Sequence, residues 1–258
     1  MKRKVILIIF CIYLMTGCSN LSNQNSTKIK GLYVNSNSTI DKLEIHETER
    51  EGVTYKELSY LIGKNSKRIL LIVTNTTNET VYASGSVQGM FEGKKTSQSS
   101  QGDSCTLTRN SSCVLKFHLF GPVDSYKVNG FSVESRKDSY IPYSDFSIVE
   151  FNKEYNYSSH KIPKIILKYN GDLASDMLLE AQLIGFKNGE VVYAGSTYLS
   201  PVEDKNDYSL DYNSDYVSNG SYVGGNFSDF LTFLSSKNAE LTSSDIDEYV
   251  YFIYGFPK

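Results

Sequence analysis

Four cysteines and three histidines hold the thiol and imidazole chemistry open to this chain: Cys11, Cys18, Cys105, Cys113, His46, His118 and His160. What the thiols do depends on the compartment, and the first residues bear on that. Lys2, Arg3 and Lys4 form a basic start, Val5 to Leu14 is an apolar run, and Thr16-Gly17 leads into Cys18. That run is too short to cross a hydrocarbon core, which takes roughly 20 apolar residues. A basic start, a short apolar centre and small residues before a break read as a secretory signal over residues 1–17. Cys11 leaves with it. Cys105 and Cys113 then stand eight apart in an oxidising compartment, where a disulfide between them is expected. Closing so short a loop stabilises by about 2.5 kcal/mol in the chain-entropy model. A metal site would need further Cys or His at zinc spacing, and none stands nearby. His118 lies five residues from Cys113, but strand alternation points it to the other face.

No nucleophile–base set is legible. Neither G-x-S-x-G nor H-E-x-x-H occurs, and Gly85-Ser86-Val87-Gln88-Gly89 places its serine one position early for a nucleophile elbow. Gly224-Gly225 lacks the lysine of a phosphate loop. His46, between Glu44 and Glu47, reads as a solvated surface histidine. The loop Glu203-Asp204-Lys205-Asn206-Asp207, continuing to Asp211, Asn213 and Asp215, carries oxygen donors of the kind calcium takes. It lacks the glycine and terminal glutamate of an EF-hand, and reads as a solvated loop. Tyr208, Tyr212, Tyr216 and Tyr222 could present a sugar- or protein-binding surface, although turn and strand positions account for most of them. The chain is read as a non-enzyme with no catalytic residue, no metal and no cofactor.

The tetrapeptide Met15-Thr16-Gly17-Cys18 resembles the lipobox of bacterial lipoproteins. The family prefers leucine three residues before the cysteine; here Met15 takes that place and Leu14 precedes it. The resemblance implies that Cys18 receives a diacylglyceryl group and becomes the mature N-terminus. Two or three acyl chains, at roughly 0.8 kcal/mol per buried CH₂, would hold it to a membrane. Ser19 after the lipidated cysteine resembles the signal for outer-membrane sorting, applicable to a Gram-negative source. The expected location is the cell envelope, lipid-anchored, facing the periplasm or cell surface in that case.

Residues 18–30 are rich in Ser, Asn and Thr and are expected to be a flexible tether. Without Lys2, Arg3 and Lys4 the mature part carries 23 basic against 29 acidic residues, 23 − 29 = −6. That balance argues against nucleic acid, whose binding rests first on neutralising phosphates. Twenty tyrosines and thirteen phenylalanines suit β-structure, and short apolar runs between Asn-, Ser- and Gly-rich turns make the chain all-β. Ile69 to Val73 is one strand and Val81-Tyr82-Ala83 begins the next. In Cys113 to Phe120, Cys113, Leu115, Phe117 and Leu119 form a core face, while Val114, Lys116, His118 and Phe120 form a mostly wet one. If Cys105–Thr108 pairs with Asn110–Cys113 as a hairpin about Arg109, the two cysteines face each other.

The stretch IVTNTTNETVYASG followed by CTLTRNSSCVLKFHLFGP resembles the bacterial Ig-like domains related to the MSP and ASPM-Hydin group. Thr74-Asn75, Cys105, Leu107, Cys113, Phe117 and Pro122 stand at the matching positions, although the cysteines are close together for the family and no glycine precedes Cys113. The resemblance implies a seven-stranded sandwich used as scaffold, stalk or adhesion module. A second, loosely similar sandwich is expected from Ile162. Asn188-Gly189 marks a hairpin within it, Ser243-Ser244-Asp245 a helix cap, and Tyr249 to Phe256 a closing strand. Phe227 to Leu234 would be a short helix or strand.

The organisation expected is a signal over 1–17, a tether over 18–30, and two Ig-like β-sandwiches in tandem over 31–160 and 161–258. The first would carry a disulfide hairpin. The function expected is binding or structural, with the membrane reached through the lipid and an envelope protein or glycan as partner. An accessory subunit of an envelope assembly or secretion machine is the alternative.

Overall fold

Alternating and β-branched segments become strands along almost all of the structure, a computed structural model that describes residues 32–33, 39–62, 66–99, 102–136, 146–157, 160–169, 177–202, 222–227 and 242–257. The chain is all-β, with three antiparallel sheets. The middle sheet has the order β2 (His46–Glu47), β3 (Val53–Ile62), β4 (Ser66–Asn75), β8 (Ser111–Phe120). The outer sheet is built on β5 (Thr80–Phe91), which pairs along one edge with β9 (Ser125–Arg136). Its other edge takes β7 (Asp103–Leu107) and then β6 (Lys94–Ser99). The large sheet runs β1 (Leu32–Tyr33), β15 (Glu248–Pro257), β12 (Met177–Lys187), β13 (Glu190–Val202), β14 (Tyr222–Asn226), β11 (His160–Tyr169), β10 (Phe146–Tyr157).

The five consecutive buried residues Ile69 to Val73 explain the layering. A strand solvated on one face alternates; a continuous apolar run is covered on both. Ile69, Leu71 and Val73 face the outer sheet and pack with Val81, Leu107, Leu115 and Phe117. Leu70 and Ile72 face the other way and pack, with Val114, against Ile184, Phe186, Val250 and Phe252 of the large sheet. The middle sheet is therefore sandwiched between the other two.

The large sheet curls into a half-barrel around a third core of Ile165, Leu183, Tyr193, Phe227, Tyr249 and Ile253. Its two edges approach each other through side chains. Phe151 of β10 meets Tyr249 and Tyr251 of β15 edge-on, with ring centroids 5.2 and 4.8 Å apart. The 3-10 turn Ser243–Asp245 bridges the same gap, the Ser243 hydroxyl bonding the Lys153 carbonyl and the Tyr249 hydroxyl. Gly225 permits the tight curl: a Cβ there would sit 2.6 Å from Thr197 Cγ2 and 2.8 Å from the Tyr198 carbonyl.

Three expectations take a sharper form. The Asn188-Gly189 hairpin forms, with φ of 54° and 80° at its two turn residues and β12 pairing β13. The closing strand forms as β15, paired along its length with β12. The second half is one curled sheet rather than a pair of facing sheets, and β1 and β10, from before residue 161, pair into it. Residues 228–234 lie outside the described residues, as do 203–221 with the acidic tyrosine loop.

Candidate functional site

Cys18 lies outside the described residues. Cys105 and Cys113 are joined by a disulfide, but not within a hairpin. Cys105 sits on β7, opposite Ala83 of β5; Cys113 sits on β8, opposite Val73 of β4. The connection Thr108–Asn110 carries the chain from the outer sheet to the middle one, so the bond crosses the sandwich core, with Cα atoms 6.9 Å apart. Directly opposed residues of an antiparallel pair stand at about 4.5–5.5 Å. Alternation correctly put Cys113 on the core face, but it carries no information on which sheet each arm joins.

Around this staple the turn Asn75–Thr80 is held by one buried side chain. Asn75 Nδ2 donates to the carbonyls of Glu79 at 2.8 Å, Thr108 at 3.0 Å and Leu107 at 3.3 Å. Its Oδ1 accepts from the Thr77 amide and hydroxyl. The amide thus satisfies carbonyls of both chain segments that border the disulfide, which is why a fully buried asparagine is tolerated there. Arg50 closes the same end in an ion pair with Glu79.

At the seam with the large sheet, β8 presents an edge that side chains cover. Gln182 of β12 accepts the Val114 N–H through Oε1 at 2.7 Å and donates through Nε2 to the Val114 carbonyl at 2.9 Å. The side-chain amide acts as a short piece of neighbouring strand. Two residues on, the Lys116 N–H donates to Asp103 Oδ2 at 2.6 Å, while Lys116 Nζ reaches Ser196 Oγ at 2.9 Å. Arg68 Nη1 donates to the Ala194 carbonyl at 3.3 Å. The face expected to be mostly wet is therefore largely occupied: Val114 is buried, Lys116 and His118 are half-buried, and Phe120 is exposed.

The histidines do not converge. His46 stacks on Tyr55 at 5.0 Å, and Tyr55 stacks on Phe131 at 4.9 Å; Glu57 lies 3.9 Å from His46. This wall runs along the open side of the sandwich between β3 and β9, and the rings spend their faces on one another. Tyr126, on the same wall, has its phenol pushed up to about 12 by burial and then by Glu57. His118 lies against Phe120 at 3.9 Å, its pKa lowered by burial and then by Arg68. His160 is exposed at the start of β11. Lys164 places its ammonium 4.1 Å from the Tyr155 ring centroid, and burial pushes its pKa down to about 8 against the opposing pull of Glu150. No cluster of three or more His, Cys, Asp or Glu able to hold a metal occurs among the described residues. What the described residues hold together is a stapled sandwich and a sealed seam. Asn75 and Gln182, which fix them, carried no sequence signal beyond the Asn in the Thr74-Asn75 turn.

No family model matches the chain. Two curated relatives are similar to it, uncharacterised lipoproteins of Staphylococcus aureus strains MSSA476 and MW2. Each is 27% identical over 117 residues, which is 42% of this chain and 41% of the relative. The chain thus matches about two-fifths of the length of these relatives.

Proposed function

We propose that this chain is a lipid-anchored protein of the bacterial cell envelope with a non-enzymatic binding or structural role. The observation that carries the reading is the tetrapeptide Met15-Thr16-Gly17-Cys18 behind a basic and apolar leader. The staphylococcal relatives, which carry the name lipoprotein, support it. Cys18 is the residue that takes the diacylglyceryl group. The reading of the middle and outer sheets as an Ig-like module is supported by their two facing antiparallel sheets, their buried core and the disulfide that joins one sheet to the other. Such a sandwich offers a rigid surface for an envelope protein or glycan, and needs no positioned nucleophile.

Replacing Cys18 tests the anchor. In cells labelled with a clickable palmitate analogue, the wild-type chain should carry label and sediment with membranes. Cys18→Ala should lose the label and appear in the soluble exported fraction. Membrane retention of an unlabelled Cys18→Ala chain would overturn the reading.

A further inference from the structure

Val114, Lys116, His118 and Phe120 share the face of β8 turned to the large sheet. Arg68 of β4 stands directly opposite His118, and Tyr60 of β3 opposite Arg68 in turn. Two long side chains of this face tie it to β13. Arg68 Nη1 donates to the Ala194 carbonyl at 3.3 Å, and Lys116 Nζ donates to Ser196 Oγ at 2.9 Å. His118 neighbours both. Its ring rests on Phe120, and its Nε2 is buried with no hydrogen-bond partner among the described residues.

An imidazole so placed has one charge state that fits. Neutral, the ring can hold its proton on Nδ1 and leave Nε2 bare; protonated, it buries an N–H that has no acceptor. It then also becomes a third cation beside Arg68 and Lys116. The other ionisable groups on this face are Tyr60, Glu180 of β12 and, opposite Glu180 on β13, the exposed Tyr198. Both nearby carboxylates are engaged by Lys116: Glu180 Oε1 stands 3.9 Å from its ammonium, and Asp103 of β7 accepts its N–H. Burial first and Arg68 second lower the pKa of His118, so the closed seam resists the proton, and protonation favours an arrangement that solvates the ring. The bond that must yield is the one from Arg68, which is longer than the 2.7 and 2.9 Å bonds of Gln182 farther along the seam.

We infer that His118 is an acid-sensitive catch on the seam. When it takes up a proton, the Arg68 guanidinium leaves the Ala194 carbonyl and this end of β13 parts from the middle sheet. Gln182 and the apolar core between the sheets hold the rest shut. This opening is a motion within the folded body and needs no membrane anchor. Histidine is the side chain whose charge changes between about pH 5 and 8, and a local change of charge read out by an element with two arrangements makes a switch.

Alanine methyls sample the three cores separately. Ala83 lies in the sandwich core, Ala181 in the half-barrel core and Ala194 in the core of the seam. The full-length chain, carbon-13 labelled at alanine methyls and histidine Cε1, is titrated by NMR from pH 7.5 to 5.0 with and without a soluble nitroxide. The His118 midpoint is expected below about 6.5. With that same midpoint, nitroxide broadening of the Ala194 methyl should rise severalfold, while Ala83 and Ala181 stay shielded. His118→Phe should keep Ala194 shielded across the range. Arg68→Met, which removes the tie, should leave it broadened already at pH 7.5. Circular dichroism confirms that each variant folds. An Ala194 methyl that stays shielded through the His118 titration would overturn the catch, as would the same acid response in His118→Phe or a shielded Ala194 in Arg68→Met. Broadening of all three methyls together would mean general unfolding and overturn it as well.

Discussion

Two side chains show how much a single polar group decides here. Asn75 satisfies three carbonyls from two chain segments while sitting fully buried. Asn75→Ala leaves those carbonyls without a donor, and removing one partner of buried polar groups costs the desolvation of what remains. The expected loss is about 3 kcal/mol, read as a lower urea midpoint with an unchanged slope. His118 makes a pH prediction. Its folded pKa lies below the unfolded value because burial, then Arg68, disfavour the imidazolium. The unfolded chain therefore binds the proton first as pH falls through about 6.5, and stability falls with it until the folded group also protonates. His118→Phe should flatten that part of the stability profile between pH 7.5 and 5.5; an unchanged profile would show that other groups set it.

The strands themselves were largely legible, and their sheets were not. Removing the staple with Cys105→Ala and Cys113→Ala is expected to cost about 2.5 kcal/mol, measured by urea unfolding. Non-reducing peptide mass spectrometry of the wild type should recover the two peptides linked. The alternation in Cys113–Phe120 named the core face of β8 correctly, because period two is a property of one strand alone. It could not tell that β7 and β8 diverge into opposite sheets, since pairing partners depend on residues far away in sequence. The unbroken run Ile69 to Val73 did hold a signal for a third layer, because apolar residues on both faces of a strand require cover on both. The Asn188-Gly189 turn was readable because its positive φ values are a local demand. Of the candidate residues, the cysteines were found by type and compartment. Gln182 was invisible because its partner is a backbone 68 residues away.

Over the whole molecule the seam makes one body from three sheets. Gln182→Leu keeps the bulk but strands the Val114 N–H and carbonyl, an expected cost of about 2–3 kcal/mol. Hydrogen exchange should show β8 and β12 protected together in the wild type, and the Val114 amide exposed early in the variant. Equal protection in both chains would mean that apolar packing alone seals the seam. The Gln182 amide and the Asp103 carboxylate have one more effect, through the strand edge they occupy. If the proposed lipid anchor confines copies to a plane, neighbours collide far more often than in bulk, and an open edge of β8 would let one chain template the next into a growing ribbon. With Val114 and Lys116 already bonded from within, this stretch offers nothing to polymerise on, and a dense lawn of such proteins can stay a population of separate molecules.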